Sequence, residues 1–345
     1  MHRRRLLKSW AATTALSASW PALTWAQTSR IDGAGRSVPS VANVQRVFPA
    51  GGPAAILLYT LAPDLLLGWP RANRPAEIPY LLPDVGRRPE VGRLTGRGGT
   101  ANLERVLALR PDLIMDVGSV RDTYVDLANR VQAQTGIPYI LLDGRFELIP
   151  QTYRQLGRWL HRSERAETLA RYAESLMTQV KSRLASVKAG QGPRVYYARG
   201  PDGLETGLSG SINVELLDWM GFNHFGIRRT GGLARASIEE VLAWNPEVII
   251  TIDQQFAETV LRSPVWRQVD AVRNNRVHLS PKMPFGWVDF PPSVNRLPGA
   301  VWLGRMIYPE LFKDDLRQLA QSFYKLFYHV EPTLQQVDEV LAGRD

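Results

Sequence analysis

Apolar positions along the chain follow two alternating patterns. Short β-rich runs at residues 44–48, 113–117 and 139–142 are separated by helical spacing near 54–61, 103–109 and 120–134. The same alternation returns later. Runs at 195–198, 248–252 and 277–279 are separated by helices near 212–220 and 238–244, and helices at about 293–307 and 314–327 close the chain. Strands alternating with helices predict an α/β architecture.

The centre of the chain reads differently. Residues 163–187 contain no Gly or Pro, and their apolar residues recur at steps of three and four: Ala166, Leu169, Ala170, Ala173, Leu176, Met177, Val180, Leu184 and Val187. This is one face of a single helix. Ser163 is placed to cap it, and Glu164 and Glu167 occupy the first turn, where the helix dipole favours anions. Over 25 residues such a helix spans on the order of 37 Å. Gly190, Gly192 and Pro193 end it.

An internal repeat links the two halves. The stretch from Asn102 to Ile114, NLERVLALRPDLI, recurs 135 positions on, from Ser237 to Ile249, as SIEEVLAWNPEVI. Thr95-Gly96 precedes the first copy and Thr230-Gly231 the second. In each copy an N-cap residue (Asn102, Ser237) opens a short helix with Glu104 or Glu239 in its first turn. Pro111 or Pro246 then stops the helix before a buried strand.

Composition sharpens this picture. Residues 1–26 join a basic start (Arg3, Arg4, Arg5, Lys8) to an apolar stretch at 10–23 and end at Ala26. This is the pattern of a cleaved signal peptide, and both the twin-arginine and the general export routes fit it. The mature chain is therefore expected outside the cytoplasm, in the periplasm. No later apolar run reaches the roughly 18 residues of a membrane span. The absence of cysteine excludes disulfides, thiolate metal sites, cysteine nucleophiles and a lipid-modified N-terminal cysteine. The formal charge of +9 falls to +5 without the leader, with no basic–aromatic tract, so nucleic acid is not an expected partner.

Signal peptide, duplicated lobe, long central helix and repeat together resemble the ABC-importer substrate-binding proteins of the single-helix-linked class. Members carry iron–siderophore complexes, haem, cobalamin or metal oxyanions. The resemblance implies an α/β fold of two Rossmann-like lobes joined by one long backbone helix, with the ligand cleft between the lobes. The boundaries follow: a first lobe at 27–162, the helix at 163–188 and a second lobe at 189–345. It also implies no enzymatic activity, no cofactor, a monomer, and an ABC permease dimer with its ATPase as partner. Glu104 and Glu239 fall where the family docks one carboxylate per lobe onto permease arginines. An iron–siderophore or related chelate leads as ligand, with haem, cobalamin or a molybdate-type oxyanion as alternatives.

Ligands of open α/β lobes bind beyond the carboxyl ends of the strands, and five segments qualify. Gly51 and Gly52 open a helix after the first strand, where a tight packing turn is the other reading. Trp69 and Arg71 set an aromatic plane beside a guanidinium. Ser119 follows the second strand, with Arg121 close behind. Arg199 ends a strand and leads to the loop with Ser209, Gly210 and Ser211. Lys282 and Trp287 follow the last strand of the second half, where an aromatic core under Trp287 and Phe290 is the other reading. Arg87, Arg88, Arg93 and Arg97 form a basic stretch that reads as added positive potential or a solvated loop. His161, His224, His278 and His329 show no metal-ligand spacing.

Two stretches approach enzyme motifs. Residues 96–101 fit G-x-G-x-x-A but lack a good preceding strand. Residues 207–211 approach a nucleophile elbow but lack its final Gly. A secreted serine hydrolase is the alternative from a different class.

Overall fold

The structure, a computed structural model, describes residues 29–344 except 97, 98 and 100. The signal-peptide segment, Arg97 and part of the 96–101 motif lie outside the described residues. No helix among the described residues is long and apolar enough to cross a membrane.

The first lobe begins with a short hairpin, β1 (Ser29–Ile31) and β2 (Ser37–Pro39). It continues through β3 (Val47–Pro49), α1 (Gly52–Leu61), α2 (Pro83–Gly86), α3 (Leu103–Ala108), β4 (Leu113–Gly118), α4 (Asp122–Thr135), β5 (Tyr139–Asp143) and α5 (Ile149–Trp159). Strands β3, β4 and β5 form a parallel sheet in that order. After α6 (Ser163–Arg183), the second lobe runs through β6 (Val195–Ala198), β7 (Glu205–Gly207), α7 (Glu215–Met220), β8 (Leu233–Arg235), α8 (Ile238–Trp244), β9 (Val248–Thr251), α9 (Gln254–Val260), α10 (Asp270–Arg273), β10 (Val277–Leu279) and α11 (Arg296–Ile307). Here β6, β9 and β10 make a parallel sheet with β9 in the middle.

The repeat therefore supplies the central strand of each sheet. Val47 pairs with Leu113 in the first lobe, and Val195 pairs with Val248, the repeat counterpart of Leu113, in the second. Each first strand also makes one parallel bridge on its outer side, Val47 with Leu66 and Val195 with His224. Both central strands are apolar and fully buried through their first three residues, as strands covered on two faces must be. The repeat helices are capped as their sequences require. Asn102 accepts from the Arg105 N–H at 2.8 Å, and Ser237 forms a full capping box with Glu240.

Alternation along the strands sorts side chains into two environments. Val47, Leu113, Met115, Ile140 and Leu142 of the first sheet join Val195, Tyr197, Val248 and Ile250 of the second in one continuous core. The opposite faces fill two separate clusters, around Phe48, Ile114 and Tyr139 and around Tyr196, Ile249 and Phe256. The inner faces of the two sheets thus share a single apolar interior.

Helix α6 lies in that interior, burying Ala166, Leu169, Ala170, Ala173, Leu176 and Val180. It packs on α5 and α11. At Gly157 a side chain would place its Cβ 2.4 Å from that of Ala166, so the α5–α6 turn requires glycine there. Two details differ from the sequence reading. Ser163 is already inside the helix and Arg162 precedes it, so no side chain caps the start. The helix stops at Arg183 rather than near 188, because shorter-range bonds from Ala185 and Val187 tighten the last turn.

The end of the chain departs from the expected second lobe. Helix α12 (Leu316–Phe323), a π-turn at Tyr324–Tyr328 and α13 (Leu334–Leu341) fold back onto the first lobe. The Tyr59 hydroxyl donates to the Tyr328 carbonyl at 2.7 Å, and Tyr80 donates to the Gln336 carbonyl at 3.1 Å. These aromatic helices bury their rings against Tyr59 of α1 and Tyr80.

Candidate functional site

A cleft opens between the lobes where strands of the first sheet end. Gly118 closes β4, Asp143 closes β5 and Pro53 lies in the first turn of α1; all three line it. Opposite stand Ile212, Pro292, Ser293, Val294 and Arg296 from the second half of the chain. The floor is bare backbone. The Gly144 N–H donates to the Gly118 carbonyl at 2.8 Å, and a Cβ on Gly144 would lie 2.7 Å from the Gly118 Cα. Side chains are excluded there, so a ligand can approach the strand ends closely.

Gly51 and Gly52 lead into Pro53, the cleft-lining residue at the start of α1. Gly51 is the extended residue before α1, and a Cβ there would meet the Thr95 hydroxyl at 2.8 Å. A Cβ on Gly52 would lie 3.2 Å from the ring of Pro291, which reaches across from the opposite lobe. Beneath the turn Asp116 is buried. The Thr95 hydroxyl lies 3.0 Å from one carboxylate oxygen, the Val117 N–H donates at 2.9 Å, and the Tyr139 hydroxyl donates at 3.3 Å. Burial pushes the Asp116 carboxyl above its ordinary value, and these three hydrogen bonds oppose the shift only in part.

The arginines nearest the cleft are compensated. Arg145 binds Asp143 through two nitrogens and approaches Glu147 at 3.5 Å. Arg296, only 2% exposed, pairs with Glu215 and donates to the Gly144 carbonyl at 2.9 Å. Arg199 pairs with both Asp289 and Glu205. Arg121 differs: its Nε donates to the Ser119 hydroxyl at 3.1 Å, and it has no carboxylate partner among the described residues.

The residues proposed from sequence separate into groups. Gly52, Ser119 and Ser211 are chain neighbours of the lining residues Pro53, Gly118 and Ile212, and Gly51 precedes Gly52. Ser209 and Gly210 are held by Asp218, with the Ser209 hydroxyl donating at 2.8 Å and the Gly210 N–H at 2.9 Å. Arg199 stands behind the wall and acts on it through Asp289. Lys282 is half-buried between Pro281 and Met283.

Three expectations need correction. Trp69 is 2% exposed; its indole N–H donates to the Val85 carbonyl at 2.8 Å, and its ring packs on Tyr59 and Phe285. Trp287 is fully buried, 3.4 Å from the Tyr324 hydroxyl. Both are core residues, because the segments carrying them turn inward rather than along the cleft. Arg71 pairs with the buried Glu77 and is absent from the cleft lining. Asn213 and Phe290 are placed by the same Asp289, and Arg145 and Arg296 were missed. A lone arginine heading the apolar helix α11 was the available signal.

The serine-hydrolase reading meets a geometric obstacle. Ser209 and His224 both bond to Asp218, the latter at 2.8 Å, so the carboxylate rather than an imidazole accepts the serine hydroxyl's hydrogen bond. A triad requires the histidine between the other two.

Residues 83–283 match the periplasmic binding protein family. An ABC transporter solute binding protein from Sulfurospirillum deleyianum superposes with a TM-score of 0.82 at 27% identity, covering 90% of this chain and 98% of that one. The molybdate-binding protein MolA of Haemophilus influenzae is 24% identical over 259 residues, 68% of this chain and 72% of MolA. The vitamin B12-binding protein of Salmonella typhimurium is 29% identical over 173 residues, 48% of this chain and 63% of that protein. The duplicated lobes, the cleft at the strand ends and these likenesses agree: the chain belongs to the periplasmic binding protein family, in its iron/vitamin B12 class of ABC-transporter binding proteins.

Proposed function

We propose that this protein captures an iron–siderophore or related metal chelate between its lobes and presents it to an ABC permease through Glu104 and Glu239. The supporting observation for capture is the character of the cleft. The two arginines that line it, Arg145 and Arg296, are already paired, while Pro53, Leu57, Ile212, Pro292 and Val294 give it apolar walls. A wall of that kind suits a ligand with apolar surface better than a bare, highly hydrated dianion. Docking draws support from the repeat. Glu104 and Glu239 occupy the same position in equivalent helices, are exposed, and have no ion-pair partner among the described residues. Two such charges fixed on a rigid body make an oriented, bivalent contact.

A molybdate-type oxyanion is the second reading. It is favoured by the likeness to MolA and by the contact of Pro291 on Gly52, which narrows the cleft.

Titration calorimetry with a ferric tris-catechol complex, haem, cobalamin and molybdate separates these readings. Binding of the ferric complex supports the first; binding of molybdate alone replaces it with the second. For docking, the Glu104→Ala, Glu239→Ala double variant is expected to bind ligand normally and to lose uptake. Normal uptake by that variant removes the docking assignment.

A further inference from the structure

Residues 283–289 are all buried, and the next residue, Phe290, is 73% exposed. Its ring makes no aromatic contact among the described residues. Its backbone has φ +65°, in the left-handed region that a side chain with a Cβ disfavours. Exposure and backbone strain thus fall on one bulky apolar residue beside the cleft, and neither helps the fold.

The surroundings hold Phe290 in that state. Its N–H donates to Asp289 at 2.7 Å. Asp289, 1% exposed, also accepts from the Tyr197 hydroxyl at 3.0 Å, from the Asn213 amide at 2.9 Å and from Arg199. On the other side, Pro291 rests against Gly52 and Pro292 lines the cleft. The backbone is therefore fixed on both flanks. Asn213 follows Ile212, a cleft-lining residue that is itself 38% exposed. One buried carboxylate thus ties together the segments carrying two uncovered apolar side chains.

We propose that Phe290 and Ile212 form a preset apolar clamp at the rim of the cleft that receives an aromatic or other flat apolar face of the ligand. The proposal rests on the chelate reading above and narrows it: the ligand presents such a face, and Phe290 discriminates for it. Asp289 is the positioning residue that fixes both segments before the ligand arrives. A preset aromatic contributes affinity without the cost of ordering it on binding.

Phe290→Gly is the decisive variant, because glycine accepts φ +65° without strain and removes the ring. Its melting temperature should equal or exceed that of the unaltered protein. Its Kd for a ferric tris-catechol complex should rise about 10- to 100-fold, the order expected for losing one buried aromatic contact. Phe290→Trp should restore most of that loss. An unchanged Kd for Phe290→Gly overturns the clamp while leaving the chelate reading standing. Failure of the unaltered protein to bind the ferric complex overturns both. An equal loss of molybdate affinity in Phe290→Gly overturns recognition of a flat face. Normal ligand affinity with impaired uptake would reassign Phe290 to permease contact.

Discussion

Arg296 and Glu215 are joined in an ion pair at the seam between the lobes, and each also reaches the first lobe. Arg296 donates to the Gly144 carbonyl, and Glu215 accepts from the Phe146 N–H at 2.9 Å. The Phe146 ring stacks edge-on against Trp219 and lies 5.5 Å from the guanidinium. Breaking a buried pair leaves the partner charge stranded. Arg296→Met is expected to lower unfolding stability by about 3 kcal/mol. Arg296→Lys should recover little, since an ammonium cannot span both acceptors in the plane of the fork. Urea denaturation of the three proteins checks this.

Glu239 and its neighbour Glu240 should behave oppositely. Glu240 completes the capping box with Ser237 and lies 3.4 Å from Arg229. Glu240→Ala is expected to cost about 1 kcal/mol and to leave uptake intact. Glu239→Ala should change stability by less than about 0.5 kcal/mol and reduce uptake. Thermal melts paired with a transport assay distinguish the two.

Arg71 supports the fold rather than the ligand. Glu77 has a fully buried side chain. Burial alone would raise its carboxyl, but Arg71, Arg74 and the Arg74 N–H outweigh it and hold the carboxyl below its ordinary value of 4.5. A lowered carboxyl stabilises above its unfolded value, and the benefit fades as pH falls through the folded one. Arg71→Ala should therefore cost roughly 1–2 kcal/mol at neutral pH and progressively less below pH 4.5, with ligand affinity unchanged. Melting curves across that range supply the check.

Asp116 carries the opposite sign. Because burial raises its carboxyl, its contribution is favourable below the ordinary value of 3.8 and is lost as pH rises through the raised value. Asp116→Asn retains hydrogen-bonding capacity without a charge to desolvate. It is expected to gain roughly 1 kcal/mol at pH 7.5, with the gain disappearing towards pH 3.5. A variant less stable than the parent at neutral pH contradicts this.

Much of the architecture was legible from periodicity. Residues 195–198, 238–244 and 277–279 form the expected elements with the expected limits, because buried strands and capped helices write their ends into local sequence. The return of α12 and α13 to the first lobe was not legible. An amphipathic face states that it must be covered, not by what. The site divides in the same way. Gly52 and Ser119 fall next to the lining residues Pro53 and Gly118 because strand ends are local features. The pairing of Arg199 with Asp289 joins residues 90 positions apart. The inward turn of Trp69 depends on contact with Phe285, still more remote in sequence. Composition marks an arginine or a tryptophan as able to bind; only the folded partners decide whether that capacity is already spent.

The continuous interior beneath both sheets bears on how a transporter recognises its delivery. Two domains fused along their inner faces cannot swing far apart without tearing apolar packing, so empty and loaded forms should keep nearly the same distance between Glu104 and Glu239. Occupancy must then be announced by small movements at the rim, around Pro291 and the segment that carries it, rather than by a change in the overall outline.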